Sequence, residues 1–137
     1  MEETIINDNM NTQLVKIFNE IFFNFVNLIS KTFPNDFDIT LAKNKLYAIK
    51  KINPKLFIKI WKKHITDKYK DSIEQGNIEY FIEKNYSDDL SKVNNSERVM
   101  KSINRLREPI KNMNKSKQEI AMMFIQDLSK ISEALDL

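Results

Sequence analysis

Apolar residues in the first quarter of the chain recur at three- and four-residue intervals. Leu14, Ile17, Phe18, Ile21, Phe22, Phe25, Leu28 and Ile29 share one broad side of a helical wheel, and Lys16, Glu20, Asn24, Asn27 and Lys31 fill the other. This spacing predicts a helix over about residues 11–31, central to the fold because its apolar side is wide. Pro34 ends it, since the residue before a proline is pushed out of the helical region. Asp36 or Asp38 then caps a second helix reaching about residue 51, with the seam Ile39, Ala42, Leu46 and Ile49. Asn53-Pro54 reads as a cap followed by proline at the first helical position, opening a third helix over about residues 54–66.

Further along, Gly76 marks a helix end and Asn77 a new cap. A short helix over residues 78–84 would bury Ile78, Phe81 and Ile82, and residues 85–96 read as loop or broken turns. Val99, Ile103, Leu106, Ile110 and Met113 form a heptad-like seam over residues 96–113, which Pro109 should kink or end. Ser116-Lys-Gln-Glu119 has the spacing of a capping box for a last helix, with the seam Ile120, Phe124, Leu128, Ile131 and Leu135. The short Asn-Lys-Ser connection predicts that the last two helices are antiparallel neighbours. The expected architecture is all-α: a compact single-domain bundle of five to seven helices over residues 11–137, closed by a C-terminal αα-hairpin. Residues 1–10 are expected as a disordered or loosely attached tail. Phe18, Phe22, Phe25, Phe57, Trp61, Phe81 and Phe124 are the candidate core anchors, and the first and third helices should form the centre.

Composition supports this picture and narrows the chemistry. A chain of 137 residues should bury roughly 68% of the surface exposed when unfolded, so no staple is needed. One Gly and three Pro argue against a turn-rich β protein. The lack of Cys removes disulfides, thiolate zinc sites and a thiol nucleophile. His64 is the sole imidazole and has no paired acid or nucleophile near it in sequence, so it reads as a core or boundary residue. Glu79 and Glu83 share a helical face, which reads as a solvated acidic side. We therefore expect no catalytic residue, no metal site and no cofactor. The acidic, polar start lacks a secretory pattern, and the apolar stretch over residues 14–29 is interrupted by polar residues. An intracellular protein without membrane insertion is expected.

Charge is distributed unevenly. Residues 43–70 hold ten Lys and one acid, Asp67, whereas residues 71–90 hold six acids and Lys84 alone. Lys43, Lys50, Lys55, Lys59, Lys62 and Lys63 are the candidate basic interaction patch. In the stretch "KLFIKIWKKH", lysines alternate with apolar residues in sequence, but at 100° per residue the two kinds part onto separate sides. Such a face reads as a solvated side, or one compensated by the acidic residues 71–90 folding beside it; left free, it suits an acidic protein partner or, as a second reading, sequence-non-specific contact with nucleic-acid phosphates. The three arginines, Arg98, Arg105 and Arg107, all lie outside this segment, which disfavours the second reading. Met100, Met113, Met122 and Met123 add adaptable apolar surface that reads as core filling or as a partner-binding surface, and the two C-terminal seams offer a pairing surface to a second copy of the chain.

Three landmarks, "FPND" after a long apolar helix, "NP" opening a later one, and "IEYFIEKNYSDDL" over residues 78–90, occur here in an order and spacing of note. Together they resemble a family of short, uncharacterised helical proteins encoded by large nucleocytoplasmic DNA viruses of algae and amoebae, over about residue 11 to the C-terminus. The resemblance implies a viral origin and an infected-cell setting, in host cytoplasm or virion. It carries no catalytic or binding residue. The expected function is that of a small non-enzymatic viral protein acting through protein–protein contacts, as adaptor, structural or host-interaction component, with self-association as one form of such contact. The alternative is non-specific nucleic-acid binding through residues 43–70.

Overall fold

Helix α1 (Glu2–Thr32) runs for 31 residues, about 46 Å at 1.5 Å per residue. The computed structural model describes residues 2–79 and 95–135, with side chains described from residue 9 onward except at residue 95. Phe81, most of the short helix expected over residues 78–84, and the loop expected at 85–96 up to residue 94 lie outside the described residues. No Gly or Pro precedes Pro34, so nothing in the chain stops α1 from extending nine residues upstream of its expected start. Residues 2–10, expected as a tail, have helical backbone. Val15, Phe18, Phe22, Phe25, Val26 and Ile29 are buried, at helical spacing. Two details differ from the expected stripe. Phe23 is buried, because α2 covers a second side of α1, whereas Ile17 is 46% exposed.

The chain turns at Phe33, whose N–H bonds Ile29 O at 3.1 Å, and the Asp36 N–H bonds Phe33 O at 3.2 Å. Helix α2 (Phe37–Ile52) is capped by Asp36, whose Oδ1 accepts from the Ile39 N–H at 3.2 Å. Ile39, Ala42, Leu46 and Ile49 are its buried seam, as expected. Asn53 ends α2 with its N–H on Ile49 O at 2.8 Å, and its own carbonyl accepts from the Leu56 N–H at 3.2 Å. Pro54 and Lys55 thus occupy a turn rather than the first helical positions.

The third element is a continuous rod. Helix α3 (Leu56–Trp61) passes into a π-helical stretch (Lys62–Thr66) and then into α4 (Asp67–Glu74). The Asp67 N–H bonds Lys62 O, five residues back, which inserts one extra residue into the turn. The wider turn allows His64, Ile65 and Thr66, three consecutive residues, all to face inward. Tyr69 then leaves helical geometry (φ −128, ψ 26) and bends the rod. Gly76, at φ 72, closes it. The Gly76 N–H bonds Ile73 O at 3.0 Å and the Asn77 N–H bonds Ser72 O at 2.9 Å, the paired bonds of a Schellman motif around a left-handed residue.

Helix α5 (Asn95–Arg107) buries Val99, Ile103 and Leu106, and Pro109 converts its continuation into a 3-10 turn (Glu108–Asn112) that buries Ile110. Helix α6 (Lys115–Glu133) is capped by Asn114, whose Oδ1 accepts from the Lys117 N–H at 2.9 Å. The expected Ser116 box does not form. Asn is as good a cap as Ser, and the neighbouring Gln118 is drawn back to Ile110 O at 3.0 Å. The expected seam of α6 is also turned. Ala121, Met122, Ile125, Leu128, Ser129 and Ser132 are buried, while Ile120 is exposed and Phe124 half-buried.

Pairings across elements set the topology. Lys117 Nζ lies 3.4 Å from Thr32 Oγ1, and Phe124 stacks on Phe25 with centroids 5.4 Å apart. Progress along α6 therefore retraces α1 in the antiparallel sense. Helix α2 retraces α1 on another side, through Tyr47 on Phe23 (4.5 Å) and Lys50 over the same ring (4.9 Å). Between them the rod inserts its apolar side: Phe57 stacks on Phe22 (5.4 Å), and Trp61 meets Phe18 and Phe22 edge-on at 6.1 and 6.2 Å. Helices α1 and α3 thus form the aromatic centre, as the pattern predicts. The two C-terminal helices are not packed chiefly on each other. Helix α5 packs chiefly against α2 and α6 chiefly against α1 and the rod, because each C-terminal seam is spent on an earlier element. The fold is all-α, with no strand among the described residues. None of the described helices is long and apolar enough to cross a membrane.

Candidate functional site

The rod answers the question raised by its interleaved sequence. Trp61 is 1% exposed, with Phe57, Ile58, Ile60 and Ile65 buried beside it. Lys55, Lys59 and Lys63 are exposed, and none pairs with a carboxylate among the described residues. The other members of the expected patch are committed elsewhere. Lys62 is half-buried and its ammonium donates to Leu135 O at 2.9 Å, clasping the end of the described chain. Lys50 lies over the Phe23 ring, and Lys43 shares that half-buried flank of α2. No described concavity gathers the six. Phe18, Phe22, Phe25, Phe57 and Trp61 are buried anchors, and Phe124 contributes by stacking from the edge.

A different basic site emerges where α2 and α5 meet. A groove of about 450 Å³ runs between them. Arg98, Lys101, Ser102 and Arg105 line it from α5 at positions i, i+3, i+4 and i+7, which one helical face presents together. From α2 come Lys45 and a set of apolar residues: Ala42, Ala48, Ile49 and Ile52. Ala42, Ile49 and Ser102 are buried and form the floor, whereas Ile52 is 74% exposed at the rim. Lys101 bonds Glu97 at 3.0 Å. Lys45, Arg98 and Arg105 are exposed and form no ion pair among the described residues. Arg105 also lines a smaller concavity of about 220 Å³ with Asp36, Asp38 and Glu108, so the groove passes beyond Arg105 into an acidic end.

This arrangement suits recognition of an anionic group. Two exposed guanidiniums present forked donors that match carboxylates. Small floor residues let an incoming backbone approach closely. Among the described residues no aromatic ring lines the groove, so these offer no stacking platform for single-stranded bases. Sequence reasoning missed the site because it weighed the lysine-rich segment and treated the arginines only as absent from it. The spacing of residues 98, 101 and 105 was a usable signal for one polar helical face, but the pairing of that face with α2 joins residues about fifty positions apart. His64, buried at 8%, packs within the π-helical stretch. Among the described residues no cluster of three or more His, Cys, Asp or Glu is placed to hold a metal ion.

Comparisons with protein-family models, curated proteins and solved structures find no match to this chain. They therefore leave the viral resemblance as an expectation.

Proposed function

We propose that this chain is a small non-enzymatic module acting through protein–protein contact, and that it takes an acidic protein segment into the groove between α2 and α5. The observation that carries this reading is the union, in one concavity, of an apolar floor with Lys45, Arg98 and Arg105, cations that form no ion pair among the described residues. A partner with both carboxylates and apolar side chains satisfies both parts of the surface. The setting we propose is the interior of an infected cell, on the strength of the three landmarks that resemble proteins of large DNA viruses.

Peptide display tests the reading. Random 16-residue peptides selected on the protein should enrich for acidic sequences with interspersed apolar residues. Those sequences should lose binding to a Lys45→Glu, Arg98→Glu, Arg105→Glu variant that keeps its helical content. Enrichment of basic peptides, or binding that the variant retains, contradicts the proposal. Non-specific nucleic-acid binding is the second reading, favoured by Lys55, Lys59 and Lys63 standing exposed along the rod. It requires binding to mixed-sequence DNA or RNA at about 50 mM salt that falls steeply by about 200 mM, and that a Lys55→Glu, Lys59→Glu, Lys63→Glu variant lacks.

A further inference from the structure

The geometry of the groove points to a narrower partner class, and this inference rests on the function proposed above: an amphipathic helix carrying carboxylates seven residues apart on either side of an apolar residue. Arg98 and Arg105 lie seven positions apart on α5, a separation of about 10.5 Å along the axis. A second helix lying along the groove repeats that distance only between its own residues i and i+7. Between the two arginines the groove surface changes character. Lys101 is drawn to Glu97, and Ser102 and Ala42 are small and buried. The side chain that enters there, at i+3 or i+4 of the visitor, is therefore apolar and uncharged. Lys45, on the opposite wall, adds a cation for a carboxylate on the visitor's other flank. Asp36, Asp38 and Glu108 lie beyond Arg105 at one end; they repel any acidic residue of the visitor past the one that meets Arg105 and so fix the direction in which the helix lies.

Phosphate-rich ligands fit less well, because an apolar floor returns nothing to a sugar–phosphate chain that lacks aromatic platforms to stack on. An acidic helix uses the floor and the rim together, in the helix-in-groove manner.

Two fluorescein-labelled helical peptides of identical composition separate the outcomes. One carries Glu at i and i+7 flanking Leu at i+4, and the other carries the same residues with the second Glu moved to i+5, on another face. By fluorescence anisotropy the full-length protein should bind the first about two- to fivefold more tightly, the scale of the one solvent-exposed ion pair that the second peptide gives up. The preference should vanish in Arg98→Glu and invert toward a Lys-bearing peptide in the Arg98→Glu, Arg105→Glu protein. Equal affinity for both peptides that still falls with Arg98→Glu overturns the spacing while leaving the groove as the site. Binding indifferent to both arginines, or no binding of either peptide, overturns the groove reading itself.

Discussion

Trp61 carries a single N–H into an almost solvent-free interior, and Ser129 receives it at 3.0 Å. Ser129 in turn donates to Ile125 O at 2.8 Å. One turn on, Ser132 spends its proton on Ser129 O (2.8 Å), so the Thr66 hydroxyl must be the donor in the 2.7 Å contact between Thr66 and Ser132. These bonds tie α6 to the rod at points that otherwise pack apolar atoms. Ser129→Ala removes the acceptor offered to a buried indole and is expected to cost about 1–3 kcal/mol in urea unfolding. Thr66→Val and Ser132→Ala should each destabilise, and the double replacement should cost less than their sum, because the polar partner left behind disappears too. Phe22→Ala should cost more, about 3–5 kcal/mol, since its ring contacts Phe18, Phe23, Phe57 and Trp61. Large apolar anchors of this kind were legible in the chain, because size and helical spacing point the same way. Ser129 and Ser132 were not: alone in sequence, a serine gives no sign that a distant Trp or Thr will receive it.

That blindness propagates to the element scale. With both serines counted as polar, the seam of α6 is drawn through Ile120 and Phe124. The true seam runs through Ala121, Ile125, Leu128 and Ser132, rotated toward the rod. Helix α5 was read correctly because every residue of its seam is apolar, and Pro109 announces the 3-10 turn that follows. The π-helical stretch (Lys62–Thr66) had no signal, since the extra residue becomes evident only when His64, Ile65 and Thr66 are all seen facing inward. Helix ends provide sharp tests. Asn114→Ala should lose about 1 kcal/mol with the cap on Lys117 N–H. Ser116→Ala, which a capping box would make equally costly, should change stability by less than about 0.5 kcal/mol, as an exposed surface site. At the end of the rod, Gly76→Ala should cost about 1–2 kcal/mol. Gln126 Nε2, the atom nearest a new methyl at 3.6 Å, leaves room for it, so the penalty comes from the backbone at φ 72. Thermal and urea unfolding followed by circular dichroism measure all three.

At the scale of the whole molecule, local periodicity shows which residues go inside but not which helices meet. The short link between α5 and α6 suggested two helices packed on each other, yet each packs chiefly on an earlier partner, α2 for one and α1 for the other. The same long-range pairing creates the basic groove. Lys45 sits within the lysine-rich stretch, whereas Arg98 and Arg105 come from a part of the chain whose charge drew no attention. Of the patch expected from linear density, Lys62 clasps Leu135 O and Lys50 lies on Phe23, while Lys55, Lys59 and Lys63 stand exposed. The most direct test of the account is an NMR titration of the 15N-labelled protein with an acidic, apolar peptide enriched by display. Saturable shifts concentrated at the backbone amides of Lys45, Ala48, Ile52, Arg98 and Ser102 are expected. Shifts confined to the exposed lysine side of the rod at Lys55, Lys59 and Lys63, or spread without pattern, would contradict it.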